Sequence, residues 1–311
     1  MIHYRSIADL DTTIRQNLHR IPGNVGLVVG IPRSGMLAAS IMALHRNLPL
    51  TDLDGFVKGE TFGTGMRPLN RLSDPSACKV LVLDDSLKSG AQLREVKRKI
   101  QAAGLDSNVL YAAVYVVPSQ VHLVDIALEA LGGHRVFEWN IMHKTILKSS
   151  CMDFDGVLCR DPTAAENDDG VRYLTFLETV EPLVVPSVPI GWIVTCRLEK
   201  YREASEHWLA KHGVRYERLI MMDLPSKEAR VAAKAHGPYK ADVYARTGAK
   251  LFIESSERQA AEIARLSHKP VYCFQTATMY QGSRAVDAVN PYVVRLKRVV
   301  KRLLHRCGVQ I

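Results

Sequence analysis

Short, unbroken apolar runs alternate along this chain with longer stretches of helical spacing. Val25–Ile31, Val80–Leu83, Asn108–Val117, Leu147–Phe154, Ile190–Val194, Arg218–Met222 and Gly248–Ile253 have the length and continuity of strands buried on both faces. Arg135–Trp139 reads as a further short strand. Ile7–Arg20, Met36–Leu44 and Gln92–Ala103 carry helical spacing, the first of them bounded by Ser6 and by Pro22-Gly23. The alternation predicts an α/β protein with two doubly wound parallel-sheet domains, at 1–143 and 144–290. A basic amphipathic helix over 291–311 follows, with Val293, Leu296, Val300 and Leu303 on one face.

Composition narrows the setting. The 311 residues hold no repeat and no low-complexity segment, and suffice for two cores of ordinary size. Six cysteines (78, 151, 159, 196, 273, 307) lack C-x-x-C or metal spacing, which predicts a reducing, cytoplasmic location. There is no signal-peptide core, and no apolar run approaches the ~18 residues of a membrane span. Arg295, Lys297, Arg298, Lys301, Arg302 and Arg306 supply +6 of the net +9, with no acid among them. Such a tail suits peripheral contact with anionic lipid at the inner face of a membrane, or a helix packed on the body with a solvated basic face. No stacking aromatics are interleaved with the cations, so no specific nucleic-acid partner is implied.

Candidate chemistry in the first half centres on Val80–Gly90, V-L-V-L-D-D-S-L-K-S-G. Asp84 and Asp85 lie at the end of an apolar run, where open α/β sheets place their ligands. Ser86–Gln92 then turns through Ser89-Gly90-Ala91 into a helix, whose free N–H groups suit an anion. Two acids beside an anion nest fit a ligand with vicinal hydroxyls and a phosphate; an acidic strand end running into an N-cap is the plainer alternative. Gly30-Ile31-Pro32-Arg33-Ser34-Gly35 is a second strand–loop–helix cradle, or else a tight turn with a solvated Arg. Residues 57–78 read as a long polar lid with Lys58, Arg67 and Arg71 as its cations and Gly59, Gly63 and Gly65 as hinges.

These segments, in this order, resemble type I phosphoribosyltransferases, which use phosphoribosyl pyrophosphate (PRPP). The resemblance implies that Asp84 and Asp85 contact the ribose hydroxyls. Lys88, Ser89, Gly90, Ala91 and Gln92 would wrap the 5-phosphate, Arg33 and Ser34 would hold the pyrophosphate, and Gly35, Lys58 and Ser86 would complete the PRPP site. It further implies Mg²⁺ bridging pyrophosphate and ribose. One departure stands out: where relatives acting on hypoxanthine or guanine carry an acid three residues after the second Asp, this chain has Lys88. A fixed cation is the wrong charge for proton exchange with a purine, which argues against those two bases.

In the second half, D-F-D-G-V-L at Asp153–Leu158, Thr195 after an apolar strand, Lys240 in a helical stretch and Glu254 at a strand end follow in sequence. This set resembles the haloacid-dehalogenase-like phosphatases. The resemblance implies Asp153 as nucleophile, Asp155 as acid/base, and Thr195 and Lys240 as holders of the phosphoryl oxygens. Mg²⁺ would be held by Asp153, the Asp155 carbonyl and Glu254; Ser255 replaces an Asp common in the family, with Glu257 as a substitute. About 40 residues separate Asp155 from Thr195, which leaves no room for a large cap and suggests an open site for a bulky phosphate ester. Together the two halves resemble enzymes that install ribofuranose in bacterial surface polysaccharides. The implied acceptor is a lipid-linked glycan. Nucleobase salvage with a fused nucleotide phosphatase, and a PRPP-sensing regulatory module, are the alternatives.

Overall fold

A computed structural model describes residues 2–63, 65–66, 68, 77–233 and 236–282; the 291–311 helix expected from sequence and the lid cations Arg67 and Arg71 lie outside the described residues. The chain divides between Asn140 and Ile141 into two units, each built on its own sheet.

The first unit runs β1 (Ile2–Arg5), α1 (Ile7–Gln16), β2 (Val25–Gly30), α2 (Gly35–Arg46), β3 (Leu50–Asp52), α3 (Leu53–Lys58), β4 (Lys79–Leu87), α4 (Ala91–Ala102), β5 (Val109–Val116), β6 (Ile126–Ala130) and β7 (His134–Phe137). Five strands pair in the order β3-β2-β4-β5-β6, all parallel. Alternate residues of β4 feed opposite cores. Leu81 and Leu83 pack with Leu10, Ile14 and Met42 of α1 and α2, and Val82 packs with Val96 and Ile100 of α4. Because both faces are covered, the strands are continuous apolar runs, which is why they were legible. Chain order reverses between β2 and β4, so a crevice opens at their C-terminal ends. The short pair β1–β7 is separate and also parallel. Helix α1 starts at a capping box: the Ser6 side chain accepts from Asp9 N–H, and Asp9 accepts from Ser6 N–H at 2.8 Å.

The second unit runs β8 (Ser150–Met152), α5 (Val171–Thr179), β9 (Ile190–Leu198), α6 (Arg202–Lys211), β10 (Tyr216–Met222), α7 (Lys227–Ala233), α8 (His236–Arg246), β11 (Leu251–Glu254), α9 (Glu257–Ser267), β12 (Val271–Cys273) and β13 (Thr278–Tyr280). Strand order is β10-β9-β8-β11-β12-β13, parallel throughout except for β12–β13. Tyr244 of α8 and Ile263 of α9 pack against Val194 and Phe252 of the sheet. Trp208 of α6 is fully buried 5.1 Å from the Phe154 ring and donates its indole N–H to Val180 O at 2.6 Å. Here the reversal falls between β8 and β11, which places residues 153 and 254 at the same crevice.

Three expectations change. Lys58 does not lie in a loop: Asp52 accepts from Gly55 N–H at 2.7 Å and starts the short helix α3, which Lys58 ends before Gly59 turns left-handed at φ +75. Strand β8 is only Ser150–Met152, since Thr145–Ser149 coils as 3-10 helix. Strands β4 and β9 continue through Asp84-Asp85 and through Thr195, because each keeps a parallel partner beyond those residues.

Candidate active sites

In the first unit the acids of β4 face the loop after β2. Ile31 N–H donates to Leu83 O at 3.1 Å, which carries that loop over the strand end. Ser34 Oγ then donates to Asp85 Oδ1 at 2.8 Å. From the opposite direction Trp139 Nε1–H donates to Asp85 Oδ2, also at 2.8 Å. Asp85 is thus buried with both oxygens engaged, while Asp84 accepts the Asp85 N–H at 2.9 Å and is less enclosed. Burial, followed by the neighbouring Asp85 charge, pushes the Asp84 carboxyl up to about 8. Gly35 is required at its place: a Cβ there would lie 3.0 Å from both Asp84 Oδ1 and Leu83 O.

The two anion cradles are tied together, since Gln92 Nε2–H donates to Pro32 O at 2.9 Å. Gly90 caps α4 with φ +71, and a side chain there would run into Leu123. Arg33, Lys88, Ser89, Ala91 and Gln92 are exposed at this rim, Ser34 and Ser86 are partly buried, and Gly90 is buried. Lys58 is exposed at the end of α3, near Asp54, whose carboxyl is held down first by its bond to Lys99 and only then by the Lys58 charge. Two features were not read from the sequence. Arg135 donates to Leu87 O and Tyr115 O, both at 3.1 Å, and Tyr115, Phe137 and Trp139 stack with 5.3 and 4.9 Å between successive rings. Only an aromatic at alternate positions 137 and 139 hinted at the stack.

In the second unit Asp153, Lys240 and Glu254 converge. Lys240 Nζ donates to Asp153 Oδ2 at 2.6 Å, to Glu254 Oε2 at 2.8 Å and to Gln259 Oε1 at 3.2 Å. All three charged groups are buried. Burial and then the Glu254 charge push Asp153 well above the usual carboxylate range, and the two acids hold Lys240 above the usual ammonium range despite its own burial. Glu254 Oε1 accepts from Ser255 N–H at 3.0 Å and from Ser256 N–H at 3.2 Å. Thr195 is buried on β9, adjacent to β8, and its Oγ1 accepts from Arg197 N–H at 3.2 Å.

Asp155 takes a different partner. Its carboxylate meets the Arg197 guanidinium, with Nη2 to Oδ1 at 2.6 Å and Nε to Oδ2 at 3.1 Å. Arg197 has no exposed side-chain surface, and its Cζ lies 3.5 Å from the centre of the Phe154 ring. Removing one partner of such a pair costs about 3–5 kcal/mol. Glu257 is not at this centre: it opens α9 and accepts from the Tyr280 hydroxyl at 3.1 Å. Asp161 is, although no sequence signal marked it. Burial and the charge of Asp155 raise its carboxyl, and it would lie 3.1 Å from a Cβ on Gly156, whose φ is +77.

Among the described residues, no three His, Cys, Asp or Glu side chains are disposed to hold a metal ion. Asp153 and Glu254 nonetheless form a buried pair of hard oxygen donors that a single ammonium leaves one charge short of neutral. That donor set fits Mg²⁺. Asp155 could add only its main-chain carbonyl, which lies 3.4 Å from Ser255 Oγ, because Arg197 takes the carboxylate.

The family model of the phosphoribosyl transferase domain matches residues 2–125. The match covers less than half of the chain and falls on the stretch that carries the Arg33 loop and the Asp84-Asp85 motif. Solved structures that resemble the chain include a purine phosphoribosyltransferase from Pyrococcus horikoshii, at 17% identity, 44% of this chain and 93% of that one, TM-score 0.34. The Helicobacter pylori xanthine-guanine-hypoxanthine phosphoribosyltransferase gives 18% identity, 45% and 95% coverage, TM-score 0.34. The UMP synthase of Leishmania donovani gives 18% identity, 40% and 27% coverage, TM-score 0.30. No curated protein matches the chain. No helix among the described residues is long and apolar enough to cross a membrane.

Proposed function

We propose that this chain transfers 5-phosphoribosyl from PRPP to an acceptor and then hydrolyses the 5-phosphate, leaving a ribofuranosyl group. One observation carries the reading: a phosphoribosyl transferase domain shares the chain with a unit that holds Asp153, Lys240 and Glu254 together at a sheet switch point. In the first unit Asp84 and Asp85 bind the ribose hydroxyls, and the Gly90–Gln92 turn binds the 5-phosphate. Arg33 and Ser34 hold the departing pyrophosphate, whose developing charge is the main electrostatic demand of the step. Mg²⁺ supplies further positive charge to the pyrophosphate.

In the second unit Asp153 attacks phosphorus while Thr195 and Lys240 hold the phosphoryl oxygens. Asp155 gives its proton to the leaving oxygen and later takes one from water. When bound to Asp153, Glu254 and the Asp155 carbonyl, Mg²⁺ offsets the repulsion between carboxylate and phosphate. The acceptor we favour is a lipid-linked glycan, because Lys88 suits neither hypoxanthine nor guanine and the 291–311 cations suit an anionic surface. A second reading, transfer to a nucleobase, is favoured by Trp139, whose partly exposed ring stands beside Asp85 as a face on which a planar base could stack.

Incubating the protein with PRPP, Mg²⁺ and a panel of glycans and bases distinguishes these readings by mass. Ribosylated glycan is the expected product, passing through a phosphoribosylated one. Conversion of free bases alone would replace the glycan reading with salvage, and no transfer to any acceptor would leave a PRPP-sensing module.

A further inference from the structure

We propose that Arg197 is a positioning residue for phosphate-ester hydrolysis, acting by fixing the orientation of the Asp155 carboxylate. The proposal rests on the hydrolysis reading above and concerns the proton transfers within it.

The guanidinium is held on every side. Phe154 covers its face at 3.5 Å, Nη1–H donates to Ser205 Oγ at 3.3 Å, and Nη2–H meets Cys159 Sγ at 3.3 Å. Nε–H and the other Nη2–H fall on Asp155. An arginine gripped by Phe154, Ser205 and Cys159 cannot swing to follow a carboxylate; the carboxylate must follow the arginine. Asp155 Oδ1 receives Nη2 at 2.6 Å, Nε at 3.2 Å and the Cys159 thiol at 3.4 Å, whereas Oδ2 receives only Nε at 3.1 Å. Oδ2 is therefore the oxygen left for proton exchange. With no exposed side-chain surface, Arg197 does not meet substrate and acts only through Asp155.

The chemistry it serves is a balanced pair of steps. Asp153 forms a bond to phosphorus as the ester P–O bond breaks, and the leaving oxygen takes the proton carried by Asp155. Water then bonds to phosphorus, its proton passes to Asp155, and the bond to Asp153 breaks to release phosphate. A carboxylate free to rotate would be poorly placed at both stages. Lysine retains the charge but not the planar, two-pronged grip.

The test uses full-length wild type, Arg197→Lys, Asp155→Asn and Ser205→Ala with Mg²⁺. It compares p-nitrophenyl phosphate, whose leaving oxygen departs without a proton, with ribose 5-phosphate, whose alkoxide needs one. Arg197→Lys is expected to lose about a hundredfold on ribose 5-phosphate. On the nitrophenyl ester it gives a burst of one nitrophenolate per chain and then slow turnover, because only breakdown of the phospho-aspartate waits for a base. Asp155→Asn gives the same two signatures, and adding Arg197→Lys to it changes nothing further. Ser205→Ala frees one edge of the guanidinium and shows the pattern in milder form.

Equal losses on both esters without a burst, or no loss at all in folded Arg197→Lys, overturn the positioning role. Where Arg197→Lys fails to fold by circular dichroism, Ser205→Ala indistinguishable from wild type does the same. A wild type that hydrolyses neither ester overturns hydrolysis itself, a separate failure.

Discussion

Trp139, close to the end of the first unit, donates its indole N–H to Oδ2 of Asp85 at 2.8 Å. The acid that the sequence marks most clearly is therefore held by a residue that lies beyond the segment matched to the transferase family. Trp139→Phe keeps the stack on Phe137, 4.9 Å away, and removes only the donor. It is expected to cost about 1.5–3 kcal/mol, the range for a hydrogen bond to a charged group. Trp139→Ala should cost roughly 0.5–1.5 kcal/mol more through the lost ring pair. Urea unfolding of the three proteins measures both; a Phe variant with the wild-type midpoint would show that the bond contributes nothing.

The Asp84 carboxyl, pushed up to about 8 by burial and by Asp85, gives stability a definite pH dependence. A carboxyl with a raised folded-state value binds its proton more tightly in the folded chain. Its stabilising contribution is full below the unfolded value near 3.8 and is lost as pH rises toward 8. Asp84→Asn should flatten this slope and raise the midpoint of unfolding at pH 8.5. A variant that unfolds with the wild-type slope between pH 5 and 8.5 would contradict the raised value.

Mg²⁺ is expected to stabilise wild type, because a ligand of the folded state alone shifts unfolding by mass action. The shift in melting temperature should be larger at pH 8.5 than at pH 6, because Asp153, which burial and the Glu254 charge hold above the usual carboxylate range, must give up its proton to bind the ion. Removing the ion with a chelator is expected to stop both transfer and hydrolysis. Full hydrolysis in excess chelator would exclude Asp153 and Glu254 as an ion site.

Lys240 is the only side-chain cation bonded to Asp153 and Glu254 among the described residues. Lys240→Met leaves two buried carboxylates facing each other and should cost about 3–5 kcal/mol near neutral pH. Since Asp153 already lies well above the usual range, its protonation should relieve the strain, and the deficit should shrink toward pH 5. A deficit that does not change between pH 5 and 8 would argue against repulsion as its source.

The two reactions should separate by mutation. Asp153→Asn is expected to reduce ester hydrolysis to background and leave phosphoribosyl transfer intact, so that the phosphoribosylated product accumulates. Asp84→Asn with Asp85→Asn should do the reverse. Mass spectrometry of the products reads both, and loss of both reactions in either variant would count against two independent sites.

Much of the architecture was legible because both sheets are covered on two faces. Strands β2, β4, β5 and β9 are continuous apolar runs with no amphipathic ambiguity. The acids at 84, 85, 153 and 254 were legible because a charge at the end of such a run has few places to go. What escaped depended on contacts between distant residues. Arg197 sits two positions past Thr195, and nothing in its neighbourhood along the chain marks its partner; only folding delivers it to Asp155, 42 residues away in sequence. Helix α3 escaped because Gly55 within it reads as a breaker, whereas the Asp52 cap is what starts it. Strands β1 and β7, of four residues each, are too short to carry a periodicity.

That short pair has a consequence for how the protein is made. Strand β1 lies against β7 from Ile2–His134 to Arg5–Phe137, and Ile7 N–H donates to Glu138, 131 residues further along. During synthesis the first strand therefore leaves the ribosome without a partner and waits, edge uncovered, until nearly the whole unit has followed. Long-range pairing of this kind slows folding and exposes an unpaired edge to other chains. Ribosome-bound fragments ending near residue 131 would already carry the five-stranded sheet, with β1 and Asp85 still short of the partners that complete them.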